Sequence, residues 1–307
     1  MSILKHEYNR YAARRELLTK TPIAAILIGS LFLVAPPFGA SRDPGFLHGT
    51  ILIFWADSER VIVGADSKVS GPQFSDVRAR KIIKLSDHDL FAYSGGAAGF
   101  ILPSGQIAFR ATDLAHSAFE QLRSQPRSNE RIIAVASRWG ELVKKNLDPL
   151  LVLVKKNSLP GYIGLGGFAG LDGAGNPSLY YVRIDVTTPD RGPPFVTPEK
   201  PTKWPIDPTE PYLSSEGGAY GGFNEFLAAM TPRAQSANAK FGRSLTNKPR
   251  DDWEAYRLAF GIETALSWYK SYSGVGGAVD VAVLERGHKV RWIQRKQRCY
   301  SRENCCD

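Results

Sequence analysis

Cysteine is scarce in this chain: only Cys299, Cys305 and Cys306 occur in 307 residues, all close to the C-terminus. No CxxC pair exists among them, which excludes a zinc ribbon. In an oxidising compartment Cys299 can pair with either Cys305 or Cys306, leaving one over. Histidine is nearly as rare. His6, His48, His88, His116 and His288 show neither HExxH nor a paired-ligand spacing, so no metal is expected. None lies near a Gly-x-Ser-x-Gly elbow, which argues against a serine–histidine–aspartate hydrolase. No Gly-Lys-Ser/Thr follows a glycine turn, so no phosphate loop is present, and no cofactor is expected. Long apolar runs are missing too: residues 23–35 fall short of the ~20 that a spanning helix needs. No internal repeat is present. The formal charge is +9, yet no basic stripe interleaved with aromatics crosses the centre of the chain. Much of the excess gathers in residues 5–20 and 286–302. It reads as solvated surface, and no nucleic-acid partner is expected.

What is present is the composition of a globular domain. Apolar residues make up 43% and charged residues 22%, enough for one large core or two small ones. The first forty residues have the order of an export signal. Arg14-Arg15-Glu16-Leu17-Leu18 and Lys20 precede the apolar stretch, then come Pro36-Pro37 and the small pair Gly39-Ala40. The paired arginines followed by two leucines resemble a twin-arginine signal. Phe38 stands where a cleavage site prefers a small residue. Residues 1–40 are therefore read as an export leader to the periplasm or beyond, with an uncleaved anchor or a cytoplasmic chain as the alternative. Any membrane contact is confined to this segment.

After a short polar stretch, residues 50–55 are a near-continuous apolar, β-branched run, and residues 61–65 are another. Such runs read as strands buried on both faces. The turn Asp57-Ser58-Glu59 joins them into a hairpin. Residues 81–85 and 90–94 make two more strands around Ser86-Asp87-His88-Asp89. Helical spacing marks residues 107–122 and 132–143. Strands 162–168 and 178–184 flank the turn Leu171-Asp172-Gly173-Ala174-Gly175-Asn176. The proline-rich residues 187–211 read as a long loop. A short helix near 223–229 and a longer one over 252–270 follow, the latter capped by Asp251 or Asp252. Residues 278–284 and 289–293 close the domain as a hairpin. Strands cluster with strands, so antiparallel sheets covered by helices are expected: α+β, a four-layer α/β/β/α sandwich of two antiparallel sheets.

Four blocks carry a resemblance. They are His48-Gly49-Thr50-Ile51, Val61-Ile62-Val63-Gly64-Ala65-Asp66-Ser67, Arg80-Lys81-Ile82 and Ser94-Gly95-Gly96-Ala97-Ala98. In that order they resemble the N-terminal half of a proteasome β-subunit. The hairpin of residues 168–183 and the block of residues 272–282 are similar to its central hairpin and C-terminal Ser-Gly-Gly strand entry. The resemblance implies the N-terminal-nucleophile hydrolase fold over residues 50–295. It implies a propeptide at 41–49, self-cleavage of Gly49–Thr50, and Thr50 as nucleophile in a threonine peptidase. A basic, cysteine-containing tail, 296–307, follows the domain.

The chemistry is coherent. A threonine hydroxyl needs a base beside it, and an N-terminal threonine carries one in its own amine. By the same resemblance Lys81 is the cation beside the nucleophile, on a strand running next to the first, with residues 70–76 absorbing a one-residue shortening. Asp66 is the acid that pairs with Lys81. The amide of Gly95, where a strand gives way to a helix, is the oxyanion donor. Ser215 and Ser273 are supporting positions, the register at Ser214-Ser215-Glu216 being ambiguous. Lys84 is read as solvent-facing. One departure matters. The family has an aspartate just before its C-terminal Ser-Gly-Gly, whereas this chain has Lys270-Ser271-Tyr272. That gap supports an alternative, a non-catalytic scaffold of the same fold. The expected partners are a peptide or unfolded-protein substrate and further copies of this chain, in a homo-oligomeric ring.

Overall fold

The computed structural model describes residues 44–49, 51–71, 74–76, 79–205, 212–214, 220–269 and 276–295. Thr50, Ser215, Ser273, the leader and all three cysteines lie outside the described residues. Everything described belongs to one unit, Ser41–Asp307.

The described residues form an α+β unit of two antiparallel sheets and five α-helices. The smaller sheet grows from the apolar hairpin near the N-terminal end. Strand β2 (Leu52–Ala56) and strand β3 (Arg60–Asp66) are almost wholly buried. Asp57 closes the turn between them, its Oδ1 accepting the N–H groups of Glu59 and Arg60 at 2.8 and 2.7 Å. With β13 (Tyr212–Ser214), β14 (Val279–Glu285) and β15 (Arg291–Gln294) the order is β13-β2-β3-β14-β15.

The larger sheet has ten strands. Its spine comprises β1 (Gly45–Gly49), β4 (Val69–Gly71), β5 (Phe74–Asp76), β7 (Asp89–Ile101), β9 (Tyr162–Leu171), β10 (Pro177–Thr187) and β11 (Phe195–Pro198). They run in the order β11-β10-β9-β7-β1-β4-β5. Strands β6 (Ile82–Ser86) and β8 (Ile107–Arg110) also pair with β7, and β12 (Thr202–Lys203) pairs with β10.

Alternation along the strands divides the apolar side chains between separate cores. Leu52, Phe54, Val61 and Val63 of the small sheet cluster with Ile82, Leu90, Ala92, Ala169 and Leu179 of the large one. Ile51, Ile53, Ile62, Val281 and Val283 cluster instead with Leu258, Ala259 and Ile262 of α5 (Trp253–Trp268). Phe91, Phe168 and Val182 of the large sheet meet Phe119 of α1 (Ala111–Leu122) and Trp139 of α2 (Asn129–Leu147). Trp139 is fully buried, its indole N–H donates to the Ala111 carbonyl at 3.2 Å, and its ring lies 5.4 Å from Phe91.

Several expectations need correction. Gly95 and Gly96 do not stand where a strand meets a helix. They lie inside β7, which continues to Ile101, and a further strand intervenes before α1. Residues 107–110, read as helix, are that strand, since Phe100 pairs with Phe109. The strand after Lys81 does not run beside the first; β6 pairs with β7 in the other sheet. The propeptide stretch contains β1, and residues 70–76 contain β5 and part of β4. The loop 187–211 carries β11 and β12. Besides α3 (Tyr220–Ala228) and α5, an unexpected helix α4 (Pro232–Ser244) is present. Asp252 is at the start of α5, but its carboxylate makes no cap; it pairs with Arg291.

Candidate active site

Asp66 closes β3 opposite Val279 of β14 and is 1% exposed. An ionised carboxylate at such depth is stable only if its lone pairs are used. Oδ1 accepts the Ile51 N–H at 3.0 Å and the Lys81 ammonium. Oδ2 accepts the Gly276 N–H at 3.2 Å. One side chain thus ties together the start of the first apolar run, the far end of the chain and a lysine from the other sheet.

Lys81 precedes β6, and its carbonyl accepts the Tyr93 N–H of β7 at 3.2 Å. This bond holds its backbone on the large sheet while its side chain reaches the small one. Its ammonium is among the most deeply buried groups, at 1% exposure. Burial pushes its pKa below the ordinary lysine value, and the charge and hydrogen bond of Asp66 oppose that fall. Among the described residues Asp66 is the one hydrogen-bond partner of this ammonium. A lysine ammonium has three donors, so two remain for another acceptor. Lys84 is half-exposed and pairs with Asp87, as a surface lysine does.

Gly95 sits on β7 between Gly49 of β1 and Gly164 of β9, its register partners on the two sides. Its φ is +71°, and a Cβ there would stand 2.3 Å from the Ile163 carbonyl oxygen. Both facts exclude any residue with a side chain. Next to it the Ser94 hydroxyl is buried and has no partner among the described residues.

The structure therefore brings Asp66 and Lys81 into contact, and it places Gly95 opposite Gly49, the residue before Thr50. The Ile51 amide, bonded to Asp66, locates the chain on the other side of Thr50. Ser215 and Ser273 lie outside the described residues. One participant was missed from the sequence: the Gly276 amide, which donates to Asp66. Gly276 has φ +143° and its neighbour Gly277 +81°, so that glycine pair was the available signal for a sharp bend onto Asp66. No group of three or more histidine, cysteine, aspartate or glutamate side chains is placed to hold a metal among the described residues. No helix among them is long and apolar enough to cross a membrane. No protein-family model matches the chain, and no curated protein matches it in sequence.

Proposed function

We propose that this chain is an N-terminal-nucleophile threonine peptidase of the proteasome β-subunit type, with its two sheets and five helices stacked as an α/β/β/α sandwich. One observation carries the reading: the buried Lys81–Asp66 pair, whose carboxylate also holds the amide of the residue after Thr50. A buried ion pair is a poor stabiliser compared with apolar packing. Its carboxylate's bond to the amide of Ile51, the residue after Thr50 in the chain, argues for chemistry.

In the first turnover the Thr50 hydroxyl adds to the Gly49 carbonyl carbon. The bond from that carbon to the Thr50 nitrogen breaks, the nitrogen takes the hydroxyl proton, and Gly49 is left as an ester on the threonine oxygen. Water then attacks the ester carbon. Gly49 leaves as a carboxylate, and the threonine regains its hydroxyl beside a free amine. That amine serves as base in later turnovers on other peptides. The Lys81 ammonium lowers the pKa of both amine and hydroxyl. The Gly95 amide is the donor to the oxyanion. Export and assembly with further copies belong to the same reading.

The alternative, a scaffold of this fold without catalysis, is favoured by the missing acid at Lys270-Ser271-Tyr272. Determining the N-terminus of the purified protein separates the two. A peptidase begins at Thr50, and a scaffold keeps the Gly49–Thr50 bond.

A further inference from the structure

Five large apolar side chains are exposed among the described residues, and three of them share one place. Val152 is 66% exposed, Leu153 43% and Phe195 40%. Val152 and Leu153 end the 3₁₀ helix Asp148–Leu153, and Phe195 opens β11. Both ends of the stretch from Asp148 to Lys156 are pinned to the hairpin of β10 and β11. The Asp148 carboxylate accepts the Val196 N–H at 2.6 Å, and the Lys156 ammonium donates to the Pro189 carbonyl. Leu151 points inward and is fully buried, and Leu150 and Val154 lie half-buried against the same core. With three residues per turn, a run of five aliphatics cannot all turn inward. Packing asks nothing of Val152 and Leu153, where polar residues would serve a solvated surface as well.

The neighbouring sheet edge is closed to strand addition. Val196 turns its backbone outward: Asp148 takes its N–H, and the Lys144 ammonium donates to its carbonyl at 2.8 Å. The next outward positions, Pro194 and Pro198, have no N–H. Whatever docks here must therefore be met by side chains. Cations surround the apolar ones. Lys155 and Arg191 are exposed, Lys156 joins their two stretches, and Lys144 sits 5.3 Å over the Phe195 ring. Asp148 offsets Lys144 at 2.9 Å, and Asp190 is the only other acid in residues 144–156 and 189–196.

We propose that this patch docks the domain on an anionic lipid bilayer, with Val152, Leu153 and Phe195 entering the acyl boundary and Lys155, Lys156 and Arg191 at the headgroup phosphates. Charge selects this occupant. A second copy seated patch to patch brings the same cations, and residues 1–20 carry five basic side chains against two acidic ones. A bilayer offers the opposite sign, needs no sheet edge, and takes in apolar side chains of any shape. It is a membrane contact additional to the N-terminal segment and independent of the Thr50 reading.

Hydrogen exchange of the purified protein is followed with and without vesicles of equal parts phosphatidylcholine and phosphatidylglycerol. The expected result is slowed exchange within residues 148–156 and 190–197, a readout separate from any binding by the N-terminal segment. Cosedimentation then measures affinity. Leu153→Ser with Phe195→Ser weakens it on the order of tenfold, as loss of buried apolar groups requires. Lys155→Gln with Arg191→Gln weakens it by about tenfold at low salt, and the difference fades at high salt. All four side chains are exposed, so the variants keep the fold, as circular dichroism checks. Unchanged exchange at both segments overturns the proposal, whatever the total binding to vesicles. Equal affinity for pure phosphatidylcholine overturns the role of charge. Protection of the same segments without lipid, growing with protein concentration, shows that a second copy covers the patch and overturns the bilayer.

Discussion

Among the described residues two acid–base pairs are buried, and they differ in what their carboxylates hold together. One nitrogen of Arg131, Nη2, donates to both oxygens of Asp89, at 2.9 and 2.8 Å, and the Ser86 hydroxyl donates to the second of them. The pair engages both carboxylate oxygens and joins α2 to the first residue of β7, with the guanidinium 5.5 Å from the Phe119 ring. Asp66 and Lys81 make a single contact, and the lysine keeps donors unspent among the described residues. The first pair fixes a helix onto a sheet. The second holds a desolvated cation on a carboxylate that also accepts the Ile51 amide, an arrangement suited to shifting a neighbour's pKa.

The largest expected effects follow from removing the Lys81 cation or the Thr50 hydroxyl. Thr50→Ala abolishes both the cut after Gly49 and peptide hydrolysis. Lys81→Met slows both by about 10²–10⁴-fold, read as the fraction of chain beginning at Thr50 over time, with the circular-dichroism spectrum unchanged. Arg131→Leu should leave the cut intact in whatever protein folds. Equal loss of cutting in both variants would erase the distinction between the pairs.

Stability is a separate readout, since breaking either buried pair leaves a carboxylate without its cation. Leaving Asp89 unpaired by Arg131→Leu costs about 3–5 kcal/mol, and replacing both partners with apolar residues recovers most of it. Urea unfolding of both single variants and the double variant measures the coupling. Gly95→Ala comes next. A methyl group at φ +71°, 2.3 Å from a carbonyl oxygen, costs at least ~1–3 kcal/mol in strain and shows as a lowered urea midpoint.

A pH profile sharpens the contrast further. Asp66 holds the Lys81 ammonium charged against its burial. Asp66→Asn removes that support, so the lysine loses its proton at lower pH. The alkaline limb of peptide hydrolysis then moves to lower pH, while no such movement follows Asp89→Asn. The smallest effect belongs to a surface pair. The Arg233 and Thr231 hydrogen bonds hold the Glu225 carboxyl down at about 2. A depressed carboxylate stabilises above its ordinary range, and that contribution is lost as pH falls through about 2. The advantage of the native chain over Glu225→Gln in urea midpoint should therefore shrink on acidification from pH ~5 to ~2.

The strongly apolar elements were legible in the residues. The hairpin of β2 and β3 and the face of α5 announce themselves because long apolar runs and helical spacing have few other ways to leave water. Asp66 and Lys81 were named together from the resemblance, and the structure shows the two side chains in contact. Helix α4 was missed because Ala234, Ala237 and Phe241 make a thin apolar stripe, although Thr231-Pro232 is a start signal. Thr231 does accept the Ala234 N–H, at 3.2 Å. Strand β1 was missed because five residues bounded by glycines carry almost no local preference for a strand.

By itself the sequence determined which stretches must be buried, where the turns fall, and which few groups carry charge into the core. Only the tertiary structure decided that Lys81 reaches from one sheet to an acid on the other, that Gly49 faces Gly95, and that β1 bridges β7 and β4. Those are pairings between distant stretches of chain. Local propensity has no term for them, and they exist only once two sheets have closed over a shared core.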